Sequence, residues 1–346
     1  MPYTTINKST DHFITHLYSG NDSTNNQTSV GLTPDFVWVK CRNHATPSHY
    51  MVDKVRGDKK YLSTNNDAAE ATDSNTFDLV SGGFNLAGGN GWTNVNGRTY
   101  AAWSWKGGGA GTSNSDGSIT STVSANTTSG VSIVKYTGTG ANATVGHGLG
   151  KAPKFIMFKD TTNASTYWGV YHKDIGNEYR LTMNTNAARQ GTSANYWQST
   201  DPTTSVFSIG SNSRANASSA VTIAYCFAEV AGFSKIGWYK GNNNADGPYI
   251  TTGFKPAWVM IKNFDTTLSW IMLDNKRDHE FYPQKDALFA DTTALETGDY
   301  LIDFNANGFK IRTATGALNG NAQDLAYIAF ADAPLVGSNN IPCTAR

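Results

Sequence analysis

The sequence predicts an all-β protein made of three tandem homologous β-sandwich domains, jelly-roll-like in plan. Three observations predict it. One block occurs three times, as GLTPDFVWVK (Gly31 to Lys40), GLGKAPKFIMFK (Gly148 to Lys159) and GFKPAWVMIK (Gly253 to Lys262), each an alternating aromatic and aliphatic run that ends in lysine. Gly, Asn, Ser and Thr crowd the segments between apolar runs, as short strands joined by many turns require. No window carries a sustained 3.6-residue apolar period; the best helical candidate, NNDAAEATDS (Asn65 to Ser74), lacks an apolar stripe and reads as a surface turn.

The repeat extends on both sides of the shared block. Upstream lie LYSG (Leu17 to Gly20), YTGTG (Tyr136 to Gly140) and WYKGN (Trp238 to Asn242). Downstream come second apolar runs, HYMVDKVRG, YWGVYHKDIG and SWIMLDNKRD, and then closing aromatic strands, TYAAWSWK, TIAYCFAE and LAYIAFAD. The aligned prolines Pro34, Pro153 and Pro256 stand 119 and 103 residues apart, far beyond the roughly 20–50 residue periods of solenoids and propeller blades. Each copy is therefore a small domain. The boundaries read as 1–106 for the first sandwich with an N-terminal arm (Met1 to Phe13), 131–230 for the second and 231–335 for the third, with a tail at 336–346. Residues 107–130 read as a Gly/Ser/Thr-rich linker in which SITSTVSA (Ser118 to Ala125) alternates well enough to be a short exposed strand.

Within the first copy, FVWVK puts Phe36 and Trp38 on one face of a strand and Val37 and Val39 on the other. Large side chains on both faces imply a strand covered on both sides. Pro34 cannot donate a ladder hydrogen bond and suits the start of that strand. MVDKVR, KYLSTN, LVSGGFNL and TYAAWSWK bring the count to about six or seven strands per copy, which two packed antiparallel sheets bury well. VSGGFNL (Val80 to Leu86) and NANGFKI (Asn305 to Ile311) read as glycine-turned hairpins; SVFSIGS (Ser205 to Ser211) has no equivalent.

Net charge is zero and the pI is about 7.0, so no broad basic face attracts nucleic acid or anionic lipid. No window has the roughly 18 apolar residues of a membrane span, and the N-terminus lacks the pattern of a secretory signal. Cys41, Cys226 and Cys343 are too scattered for a disulfide framework or a paired zinc site, and Cys226 reads as a buried small hydrophobe.

Candidate chemistry is sparse. Asp53, His172 and Asp274 hold comparable positions after the second apolar runs, with Arg56, Lys173 and Arg277 nearby, but the residue type changes between copies. That pattern reads as strand-end ion pairing rather than a catalytic pair. The five glutamates, Glu70, Glu178, Glu229, Glu280 and Glu296, show no spacing that pairs two across a cleft. The serine-hydrolase, phosphate-loop and HExxH motifs are absent, and GHGLGK (Gly146 to Lys151) is the repeat's standard turn. The Asn/Asp-rich loops lack EF-hand spacing. The expectation is no enzyme, no metal and no cofactor. The remaining candidate ligand-binding residues are the loop aromatics Trp92, Tyr196, Trp197 and Tyr282, since loop aromatics stack on sugar rings with little entropic cost.

DFVWVKCRN, DGSITSTVSANTTSGVSIVKYTGTG, TVGHGLGKAPKFIMFK, YCFAEVAGFSKIGWYKGN, DGPYITTGFKPAWVMIK and DNKRD resemble blocks of a family of tailed-phage virion proteins, frequent in marine phages and described mostly as tail-fibre-like or of unknown function. The resemblance implies a virion structural protein, assembled in the host bacterial cytoplasm. Its implied role is a tail-fibre or appendage component that displays loops for host-surface recognition, including glycans. It implies other virion proteins as partners, a homo-oligomer with trimer as the leading state, and either terminus as the attachment arm. A capsid decoration or cement protein is the alternative, and a polysaccharide depolymerase a third. The resemblance carries over no catalytic residue.

Overall fold

The computed structural model describes residues 4–89, 91–191, 194–278 and 283–332. They form an all-β fold of packed antiparallel sheets, and the α-helices among them are four residues long. Each sequence copy contributes one larger sheet with the same strand order: leading, closing, inner, outer. The leading strands are Phe13–Ser19, Val131–Thr137 and Ser234–Lys240; the inner strands are Phe36–Cys41, Phe155–Asp160 and Pro256–Asn263. Outer strands follow at Tyr50–Asp53, Gly169–His172 and Ile271–Asp274, and closing strands at Thr99–Trp105, Val221–Phe227 and Asp324–Ala331.

Register is the same in all three. Inner Phe36, Phe155 and Trp258 pair with closing Trp105, Phe227 and Phe330, and with outer Asp53, His172 and Asp274. Equivalent residues are therefore defined by backbone pairing, independently of side-chain likeness.

The period of two in FVWVK has the predicted consequence. Val37, Val39 and Cys41 pack with Phe77, Leu79, Phe84 and Leu86 of a small outer sheet, closing the first sandwich. Phe36 and Trp38 face the other way, into a core shared by all three copies. At its centre Trp105, Phe227 and Phe330 meet in a triangle, with centroid separations of 6.3, 5.8 and 5.7 Å. The three larger sheets thus surround a pseudo-threefold axis, and each is covered by its neighbours on one face and its own outer sheet on the other. The void on that axis is about 10 Å³ and its lining is apolar, too small and too dry to hold an ordered water.

Both predicted hairpins form, as Thr76–Val80 with Gly83–Ala87 and as Ile302–Asn305 with Gly308–Ile311. Gly83 (φ 156°) and Gly308 (φ 159°) are required there, because an added Cβ would lie 1.9 Å from Gln27 O or 2.1 Å from Ile250 O. In the second copy Val206–Ile209 pairs with Ala143–Gly146 instead.

Two expectations about the connecting segments are corrected. The segment read as a linker is part of the second sheet: the strand expected within Ser118 to Ala125 forms as Ser121–Asn126 and, with Thr112–Asn114, extends that sheet by two strands, with Val123 opposite Val134. The N-terminal segment is not a free arm over its described part: Ile6 is buried in the shared core, Ser9 Oγ donates to Asp332 O, and Phe13 stacks on Phe330 at 5.1 Å. Apolar side chains at Ile6 and Phe13 gain more by entering the core than by remaining in water. The tail 336–346 lies outside the described residues.

Candidate functional site

The strand-end charges compose the boundaries between copies. Asp53 accepts from Arg56 Nε at 2.5 Å within its own copy and from Tyr225 Oη of the second copy at 2.8 Å. Asp274 accepts from Arg277 Nε at 2.7 Å and from Trp103 Nε1 of the first copy at 3.0 Å. Burial works against the Asp274 carboxylate, but the Arg277 charge and these hydrogen bonds outweigh it and hold its pKa below the usual range. In the second copy His172 replaces the acid. Its Nδ1 accepts from Asp174 N at 3.2 Å, which leaves Nε2 as the donor toward Tyr327 O of the third copy at 3.4 Å. The residue equivalent to Tyr225 in that third copy is Ile328, which has no side-chain donor. The change from acid to histidine therefore matches a change from side-chain donor to backbone acceptor across the boundary.

A second set of contacts runs the opposite way round the ring. His49 Nδ1 accepts from Trp38 Nε1 at 2.8 Å, so Nε2 donates to Phe289 O of the third copy at 2.8 Å. Trp168 Nε1 donates to Ser63 O at 2.9 Å and Trp270 Nε1 to Thr182 O at 3.0 Å. The lysines that end the repeated block are buried in the same zone. Lys40 Nζ donates to Cys41 O and Thr293 O, Lys159 Nζ to Asp160 O and Thr166 Oγ1, and Lys262 Nζ to Asn186 O and to Leu268 O. Burial pulls all three ammoniums down to about 8. These groups hold structure, and each polar atom named here already has a partner.

Two hollows open on the surface of the described residues. One of about 360 Å³ lies at the first–second boundary and is polar, lined among others by Lys60, Glu70, Lys135, Thr137 and Thr161. The other, of about 280 Å³, lies on the first copy beside Trp92, Tyr61, Asp73 and Asn75.

Of the three described aromatics among the four singled out in the sequence, Trp92 lines a hollow. It is half-buried, edge-on to Tyr61 at 4.9 Å. Tyr196 and Trp197 are corrected: both are buried on a short helix, Ala194–Trp197, and Trp197 packs edge-on to Phe158 and Tyr171 at 5.4 and 5.5 Å. They fill the second sandwich at the place where that copy lacks a glycine hairpin, and a ligand cannot reach them. Tyr282 lies outside the described residues, as does Glu280. Exposed aromatics that sequence reading passed over include Trp238 and Tyr249, about half exposed, and the less exposed Tyr167 and Tyr179. Trp238 belongs to the repeated WYKGN block, which drew it into the strand set; only the alternation of Ile236, Trp238 and Lys240 signals a side chain carried beyond the core edge.

Glu229 pairs with Lys154 and with Lys235 at 3.1 Å, and Cys226 is fully buried, as expected of a small hydrophobe. Among the described residues no group of three or more His, Cys, Asp or Glu side chains is placed to hold a metal ion.

Residues 8–334 match the model of a family described as Domain of unknown function (DUF7483), and the chain belongs to that family. No curated protein matches the chain.

Proposed function

We propose that this DUF7483 member is a structural protein of a tailed-phage virion, part of a tail fibre or related appendage, that presents surface loops for recognition of the host surface and its glycans. The resemblance of its repeated blocks to phage virion proteins supplies the biological setting. The observation that carries the recognition role is the closed ring. Three sheets buried on both faces give a rigid scaffold, and rigid scaffolds let surface loops and hollows bind with little ordering cost. The acids and the histidine at the strand ends are committed to buried partners across copy boundaries, which supports binding rather than bond cleavage as the activity. Assembly into a homo-oligomer, with trimer as the leading state, adds avidity to weak single contacts.

Immunogold labelling of intact particles with antibody against this chain tests the reading. Label on tails or fibre tips is expected. Label over the capsid would replace it with a decoration or cement role, and absence of label from purified particles would overturn the virion assignment. Steady release of reducing ends from host polysaccharide would overturn the non-enzymatic reading.

A further inference from the structure

The three boundaries share one backbone hydrogen bond and differ in the side chains around it. Glu296 N donates to Arg42 O at 2.8 Å, Arg189 N to Phe264 O at 2.8 Å and Glu70 N to Thr161 O at 2.9 Å. Arg42, Phe264 and Thr161 each stand two residues beyond the buried lysine of an inner strand, so they occupy one structural position.

At the third–first boundary that position is filled. The Arg42 guanidinium grips both oxygens of Glu296, at 2.8 and 2.9 Å, while Arg277 Nη1 adds a third contact at 3.0 Å. At the second–third boundary Arg189 stacks on Phe264 with its Cζ 5.0 Å from the ring centroid, and pairs with Asp265 at 3.1 Å. At the first–second boundary Thr161 is too short to cross, and its Oγ1 donates to Val221 O at 2.9 Å. Among the described residues the Glu70 carboxylate pairs only within its own copy, with Lys60 at 3.2 Å and Arg56 at 3.5 Å. Beside Thr161, where no arginine reaches across the boundary, lies the polar hollow of about 360 Å³, with Arg56 among its lining residues.

Lys135 enters the same hollow from the leading strand of the second copy, where Leu17 and Trp238 stand in the other copies. Its Nζ donates to Val55 O at 3.2 Å and makes no ion pair among the described residues. The wall therefore combines the Lys135 ammonium, the Glu70 carboxylate with its partners Lys60 and Arg56, and the threonines 120, 122, 137, 161 and 162.

We infer that this hollow is a binding subsite for an acidic saccharide, a hexuronate unit whose carboxylate meets Lys135 and whose hydroxyls donate to Glu70 and exchange hydrogen bonds with the threonines. A neutral sugar leaves the ammonium uncompensated. A bare inorganic anion faces the Glu70 carboxylate and leaves most of the hollow empty. With Arg56 and Lys60 already paired to Glu70, a polyol bearing one carboxylate compensates Lys135 and offers hydroxyls to Glu70 and the threonines. The inference deepens the recognition reading and rests on it for the ligand's origin on a cell surface.

The test is calorimetric titration of the full chain with trigalacturonate, with a neutral glucan trisaccharide and inorganic sulfate as comparison probes. Wild type is expected to bind trigalacturonate at sub-millimolar concentration. Thr161→Arg restores the arginine found at the third–first boundary; it is expected to lose at least tenfold in affinity while melting no lower than wild type. Lys135→Ala, at a partly exposed position, is expected to lose about as much and serves if Thr161→Arg does not fold. Absence of trigalacturonate binding, undiminished binding by both variants, or equal affinity for the glucan or for sulfate would each overturn the proposal. Particle labelling separates the two readings: label on fibres without uronate binding sinks the subsite alone, and uronate binding without label sinks the virion role alone.

Discussion

Tyr225 of the second copy places its hydroxyl 2.8 Å from Oδ2 of Asp53 in the first, and 3.2 Å from Arg56 Nη2. An ion pair three residues long in sequence is thereby sealed by a residue about 170 positions away. Tyr225→Phe removes one donor and leaves the Asp53–Arg56 pair in place, so it is expected to cost about 1–2 kcal/mol of unfolding free energy, read by urea denaturation at neutral pH. Trp103→Phe, which strips the matching donor from Asp274, is expected to cost a similar amount. A loss indistinguishable from zero in both would mean that the arginines alone satisfy the two carboxylates.

Stability is expected to rise between pH 8 and about 10, against the common pattern. Lys40, Lys159 and Lys262 have folded pKa values of about 8 against 10.5 for the free side chain. Between those values the unfolded chain binds more protons than the folded one, so unfolding free energy increases with pH. Above about 10 the sign reverses, because buried tyrosines such as Tyr136, Tyr225 and Tyr239, whose pKa values burial raises, ionise first in the unfolded chain. Urea midpoints measured in steps from pH 7.5 to 10.5 report the slope, and Lys40→Met should remove about a third of it. A midpoint that falls steadily from pH 8 to 10 would rule out the buried ammoniums as the controlling groups.

On the acid side, burial lowers His49 from 6.5 to about 3. The unfolded chain takes up the proton through that interval and the folded chain does not, so stability falls as pH drops below 6.5. Asp274 and Glu296, whose pKa values are lowered by Arg277 and Arg42 against the opposing effect of burial, contribute loss of the same sign at lower pH. His49→Gln should flatten the pH 5–6.5 portion of the curve, measured by thermal melts; an unchanged slope there would exclude His49.

The hairpin glycines predict a contrast. Gly83→Ala and Gly308→Ala drive a Cβ into a neighbouring carbonyl and are expected to cost about 2–4 kcal/mol each through combined overpacking and backbone strain. Gly31→Ala has φ +87° but no atom within 4 Å of the added carbon, so backbone strain alone, about 1–2 kcal/mol, is expected. Equal melting temperatures for Gly31→Ala and Gly83→Ala would contradict the steric account.

Trp197→Ala is expected to destabilise the chain by about 3–5 kcal/mol, as a large-to-small change in a closed core. Trp238→Ala, at an exposed position, is expected to change stability by no more than about 0.5 kcal/mol. Chemical denaturation of the two variants distinguishes a core tryptophan from a surface one. A Trp197→Ala protein as stable as wild type would return that residue to the surface.

Much of the fold was legible in particular residues. FVWVK alternates bulky groups on both strand faces, and both faces are buried; GG before Phe84 and NG before Phe309 demand tight turns, and both turns form. The candidate site was legible only in part. Trp92 and Trp197 sit in similar glycine- and polar-rich surroundings in sequence, yet one lines a hollow and the other fills a core, because that outcome depends on which element covers the segment. Thr161 carries no signal of its own. Its meaning appears only when Arg42 is seen to fill the same place at another boundary.

The sequence by itself determined the strand periodicity, the three copies and the class of fold, because a backbone repeating every two residues and a turn needing positive φ are local constraints that local residues express. Only the tertiary structure decided that the copies close into a ring, that Asp53 answers to Tyr225 and Asp274 to Trp103, and that one boundary is left open. Those are contacts between residues 171 to 254 positions apart, and chain order carries no information about which distant side chain will share a buried charge's environment.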